Sequence, residues 1–146
     1  MKSLLKLTLM CLTVVSLPAF AADGKWTEGF GQGNYEYFID DQGWRLHIGC
    51  PTQNGSADAY SSVSVYRIVD NAPAKVFSLT VGGITFEGPF EANSRVGDSN
   101  FLALLQNLRK GEAVVKLGAK SLTYPKSNAA KVLPVYGKKF VCNLDM

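Results

Sequence analysis

Across residues 35–50 the chain alternates between two sets of side chains, and the run ends on a cysteine. Tyr35, Tyr37 and Ile39 alternate with Glu36, Phe38 and Asp40, and Trp44, Leu46, Ile48 and Cys50 alternate with Arg45, His47 and Gly49. A period of two puts each set on one face of a strand. Between the runs, Asp40-Asp41-Gln42-Gly43 supplies turn chemistry, with a glycine where a positive φ is wanted. The stretch therefore predicts a β-hairpin with a shared aromatic-rich face and a covalent anchor at its end.

The partner of that anchor follows from the N-terminus. Lys2 and Lys6 precede an apolar run over 7–17, Pro18 interrupts it, and Ala19-Phe20-Ala21 has the small-x-small form that a signal peptidase needs. Residues 1–21 are thus expected to be a cleaved export signal, with periplasmic or secreted localisation and a single β-rich domain over 22–146. The apolar run is short for a membrane span, and no later segment is long enough for one. Cleavage removes Cys11 and leaves Cys50 and Cys142, an even pair in an oxidising compartment. Their disulfide would close a loop worth roughly 4–5 kcal/mol in lost unfolded-state entropy, as an upper figure.

The remaining elements come from periodicity and turn residues. Residues 23–34 read as a glycine-rich lead-in with Trp26 and Phe30 as anchors. Residues 60–69 read as a strand with Val63, Val65 and Val69 on one face, and 75–81 pairs with 84–90 across Gly82-Gly83. The period then changes: Phe101, Leu104, Leu105 and Leu108 recur at three and four, predicting a helix over about 99–110 that Asp98 or Ser99 caps and Gly111 stops. Strands are expected at 113–117 and 121–124, a helical turn within 127–133, and a last strand at 138–144. The expected fold is mainly β: an antiparallel sandwich or partly open barrel with one packed helix and one disulfide.

Charge is divided along the chain. The formal +3 falls to +1 without Lys2 and Lys6. Residues 22–100 hold ten acids against five bases, a net −5, while 101–146 hold eight bases against Glu112 and Asp145, a net +6. Either the two parts neutralise each other on one surface, or the basic third meets an acidic partner. A lone mid-strand histidine, His47, and the absence of a Gly-x-Ser-x-Gly, paired-histidine or phosphate-loop pattern offer no catalytic set, metal site or cofactor. Export and the lack of a stacking signature argue against nucleic acid.

Trp44 ahead of Cys50, together with the leucine-rich stretch 102–117, resembles exported proteins of the invasion-associated locus B family. The second, internal cysteine pair expected in that family is missing, and the resemblance is not taken as membership.

The reading that follows is an exported, non-catalytic binding protein that occupies a protein partner, as an inhibitor or immunity protein against a cell-wall-acting enzyme does. Its contact loops are expected at 53–60, with Asn54 and Tyr60, and at 87–95, with Glu87 and Arg95. The alternative is a small-ligand or envelope-glycan binder with a cleft lined by Trp26, Tyr35, Tyr37 and Trp44, whose competing role is core packing. A hydrolase with dispersed carboxylates ranks third. Export predicts that the protein recovered from a periplasmic fraction starts at Ala22 and titrates no free thiol without reductant. An intact mass with residues 1–21 retained, or two titratable thiols, would contradict it.

Overall fold

The computed structural model describes residues 23–52 and 59–145; the expected signal segment, Asn54 and most of the 53–60 loop lie outside them. The hairpin is present as β2 (Asn34–Asp41) and β3 (Trp44–Pro51), paired from Asp41 with Trp44 to Asn34 with Pro51. Gln42 at φ 46° and Gly43 at φ 77° make the two-residue turn, both left-handed as such a connection requires. Tyr37, Ile39, Leu46, Ile48 and Cys50 are buried on one face.

The hairpin seeds the first sheet. β1 (Thr27–Gly31) pairs with β2, and β4 (Ser62–Arg67) pairs with β3; β5 (Ala72–Pro73) and β8 (Phe90–Glu91) both pair with β4. The second sheet has the order β10-β9-β6-β7, with β6 (Phe77–Val81), β7 (Ile84–Gly88), β9 (Ala113–Leu117) and β10 (Lys120–Tyr124). All pairings are antiparallel, and the sheets do not close into a barrel. They meet where β10 runs beside β2: the Thr123 N–H donates to Asp41 Oδ2 at 3.2 Å, and Tyr124 Oη donates to the Trp44 carbonyl at 3.3 Å.

Helix α1 (Arg95–Leu108) covers the core with Phe101, Leu104, Leu105 and Leu108, and α2 (Ala129–Val132) is a single turn that buries Ala129. Apolar faces of both sheets, the α1 stripe and Trp26 form one continuous core. The fold is the expected mainly β, antiparallel class with a packed helix and the Cys50–Cys142 disulfide.

Four local expectations are corrected. α1 begins at Arg95, because Ser94 Oγ accepts from the Gly97 N–H at 3.1 Å and caps it, while Asp98 is drawn fully inside. The lead-in contains β1, since pairing with β2 outweighs the low strand propensity of Gly29 and Gly31. Val69 is 85 % exposed, because β4 stops at Arg67 and an Arg67–Asp70 pair at 2.6 Å turns the chain. Residues 138–144 are not a strand. Asn143 bonds to Pro51 and Ser61, and Phe140 to Gly137, so no ladder forms; the segment is a strap.

The core sets two expectations. Leu104→Ala should lower the unfolding free energy by about 2–5 kcal/mol. Gly88→Ala should cost at least about 1–3 kcal/mol, because a Cβ there would stand 2.2 Å from the buried Phe77 ring. Urea unfolding of the oxidised protein checks both, and an unchanged midpoint for either would contradict the packing described.

Candidate functional site

The four aromatic residues expected to line a cleft are distributed differently. Trp26 and Tyr37 are each 3 % exposed and belong to the core, and burial pushes the Tyr37 phenol up to about 12, with Glu28 and Tyr35 adding to it. Tyr35 is half-buried beneath Phe30, ring centres 4.6 Å apart. Trp44 lies at the opposite end of the hairpin, roughly 20 Å away at about 3.4 Å per strand residue. There it lines a shallow groove with Asp23, Asp40, Gln42 and Arg67. Two of that groove's polar groups are already engaged: Asp40 takes two bonds from Arg45 at 2.6 and 2.8 Å, and Arg67 pairs with Asp70.

Of the remaining predicted positions, Asn54 lies outside the described residues. Glu87 is exposed on β7 and lines a groove with Phe90 and Val96; Arg95 is exposed at the first position of α1, and Tyr60 is half-buried.

His47 sits on the outer face of the first sheet. Its Nδ1 is 3.4 Å from Ser64 Oγ, and its Nε2 is 3.9 Å from Glu36 Oε2. The three side chains have the types of a hydrolytic triad without its geometry. The Glu36 contact exceeds hydrogen-bond length, Glu36 is 54 % exposed, and the three residues lie on neighbouring antiparallel strands. Tyr66 packs beside the imidazole at 5.8 Å, and Arg45, held by Asp40, lies 4.0 Å over Phe38. This is a cross-strand network that stabilises the face it occupies.

A further concavity lies along α1. Ser99, Leu102, Ala103, Leu105, Gln106 and Arg109 of α1 and its C-cap form one wall, and Pro134-Val135-Tyr136 forms the other, around about 510 Å³. Arg109 bridges the walls at one end, its guanidinium donating to the Leu133 carbonyl. At the other end of the strap, the Asp145 N–H donates to Asp98 Oδ1 at 3.1 Å. Val135 and Tyr136 are 60 % and 62 % exposed, although both are apolar or aromatic and adjacent. Tyr136 is steadied by Phe140, edge-on at 5.4 Å.

Sequence reasoning missed this groove, yet two signals for it exist. Leu102 and Ala103 fall outside the buried stripe of α1 and give the helix a second, weaker apolar flank. Val135-Tyr136 follows a proline and has no alternating partner run.

Among the described residues the ion pairs at contact range are Arg45–Asp40 and Arg67–Asp70, with His47 3.9 Å from Glu36, all within the first hundred residues. Among the described residues, none of the eight cations after residue 100 has a carboxylate within 4.0 Å. Seven of them are exposed lysines, and Arg109 is half-buried in the groove.

Fold and site together define a disulfide-fastened antiparallel β domain with a packed helix and an apolar groove that Arg109 lines. A model of the YfjT family matches residues 24–133, and the chain belongs to that family. The match ends at Leu133, immediately before the groove's second wall. No curated protein and no solved structure matches the chain at a significant level.

The His47 environment has a measurable consequence. Burial, reinforced by Arg45, holds the imidazole below its ordinary 6.5, against the opposing pull of Glu36. Below pH 6.5 the unfolded chain takes up a proton that the native one still refuses, so stability is lost as pH falls through that window. His47→Gln should therefore show a shallower loss than the wild type between about pH 7 and pH 5 in urea unfolding. Parallel pH profiles would contradict the assignment.

Proposed function

We propose that this protein is exported and acts in the cell envelope as a non-catalytic binding domain that occupies a protein partner. An inhibitor or immunity protein against a cell-wall-acting enzyme is the type intended. The observation that carries the reading is the unpaired state of the basic third. Its cations have no carboxylate within 4.0 Å among the described residues, and one of them, Arg109, lines an apolar groove. Arg109 lines that groove, Lys110 follows it, Lys131 precedes Pro134 by three residues, and Lys138 and Lys139 follow Tyr136. Exposed cations around an apolar centre are the composition of a recognition surface, with charge orienting encounter and apolar burial supplying affinity. An acidic partner surface is the complement.

A second reading has its own observation. Trp44 in a groove with Asp23, Asp40, Gln42 and Arg67 offers a ring face beside hydrogen-bonding groups, the elements of a glycan site. The engagement of Asp40 and Arg67 by partners inside the chain counts against it.

The two separate by experiment. The oxidised mature protein should capture one stoichiometric partner from a periplasmic extract. Capture should fail as salt rises from about 0.1 M to about 1 M, where the screening length shrinks from roughly 10 Å to 3 Å. The pair Lys138→Glu and Lys139→Glu should weaken capture by about tenfold while leaving the melting temperature within a few degrees. Salt-insensitive capture untouched by the charge reversal would overturn the reading. Tryptophan fluorescence that responds to wall glycans and is lost in Trp44→Ala would favour the second.

A further inference from the structure

We infer that the groove between α1 and Pro134-Val135-Tyr136 receives the free carboxyl-terminal end of a partner polypeptide whose last side chain is apolar. The inference rests on the protein-binding reading and specifies the chemistry that the groove selects.

Charge is the first argument. Arg109 is half-buried in the groove and donates one guanidinium bond to the Leu133 carbonyl. A guanidinium has five N–H donors in a planar fork. No carboxylate lies within 4.0 Å of Arg109 among the described residues. The donors left over match a carboxylate, the group that such a fork binds through two parallel bonds.

Shape is the second. Leu102, Ala103, Leu105 and Pro134 give the concavity apolar walls, and its roughly 510 Å³ falls in the range of ligand pockets, about 300–1,000 Å³. That space accepts an apolar side chain beside the Arg109 head.

The main chain is the third. Pro134 brings no N–H, and neither Val135 nor Tyr136 makes a main-chain hydrogen bond among the described residues. Leu133, at φ −71° and ψ 140°, has already left the helix of α2 for an extended path. An incoming extended peptide can therefore pair its main chain along Val135 and Tyr136, as added strands do on open edges.

The bond from Arg109 to Leu133 explains why a chain terminus fits better than an internal acidic residue. It joins the two walls at that end, so in the proposed pose a polypeptide lying against Val135 and Tyr136 ends where it meets this bridge. A terminal carboxylate satisfies the cation and the dead end together; a side-chain carboxylate leaves main chain with nowhere to go.

The test uses the full, oxidised protein labelled with ¹⁵N and a short acetylated peptide ending in leucine, as the free acid and as the amide. The free acid should shift the Val135 and Tyr136 amide signals and the Arg109 side-chain signal, with amidation weakening binding by about tenfold or more. Arg109→Gln should weaken the free acid to the level of the amide. Because Arg109 also holds Leu133, Ala103→Phe serves as a second variant: it fills the groove, keeps the cation and should abolish the shifts. Equal binding of acid and amide, equal binding of an amidated peptide with an internal aspartate, or no shift at these three residues would each overturn the inference. If the peptides fail while Lys138→Glu and Lys139→Glu still abolish partner capture, the groove assignment falls and the protein-binding reading stands. If the free acid binds but no salt-sensitive partner is captured, the groove assignment stands and that reading falls.

Discussion

The Cys50–Cys142 bond fixes a part of the chain that secondary structure does not hold. Residues 133–145 have no ladder and no helix; they are held by the disulfide, by the Asn143 bonds to Pro51, Ser61 and Ala59, by hydrogen bonds to α1 and its cap at each end, and by packing of Leu133, Phe140, Val141 and Leu144 on the core. A covalent link across 92 residues removes much of the unfolded chain's freedom, and here it also anchors a segment whose few hydrogen bonds could not order it alone. The groove depends on that anchor, since one of its walls is the strap itself.

The geometry of the strap explains the concavity. Asp98 and Arg109 are eleven residues apart, about 16 Å along α1. The strap between their partners, Leu133 and Asp145, contains enough chain to reach about 40 Å if extended. The excess has to leave the helix surface. Part of it travels to Cys50, and part bulges through the turn in which Phe140 bonds to Gly137, carrying Val135 and Tyr136 outward. Apolar side chains therefore end up exposed beside a helix whose core-facing stripe is already satisfied by the sheets.

Much of this architecture is legible in the sequence, for reasons that differ by element. The β2–β3 hairpin and α1 are readable because their apolar periods are strict: alternate residues from Tyr37 to Cys50, then Phe101, Leu104, Leu105 and Leu108. The disulfide is readable from parity once the leading segment is set aside. The cap of α1 was hidden because Gly97, which reads as a helix breaker, is needed where it stands: a Cβ there would lie 2.5 Å from the Glu91 carbonyl. β1 was hidden because Gly29 and Gly31 have little strand preference of their own and are ordered by the neighbour they pair with. The groove was hidden for a deeper reason. Its two walls are some thirty residues apart, and what joins them is a side-chain bond to a carbonyl, which leaves no periodic trace.

Asp98 shows how far the fold goes to hold the far end of that wall. Its side chain is fully buried in the first turn of α1; one carboxylate oxygen takes the Asp145 N–H, and the other has no partner among the described residues. Burying a carboxylate with incomplete hydrogen bonding is costly. The helix N-terminus offsets part of that cost, because unpaired N–H groups there favour negative charge. An asparagine would occupy the same space and accept the same bond without burying a charge, but it would lose the charge-assisted contact to the strap and the attraction to the helix end. The carboxylate thus couples the start of α1 to the end of the strap, as Arg109 couples the end of α1 to its beginning. With both clamps on one helix, the spacing between the two ends of the strap is set by that helix.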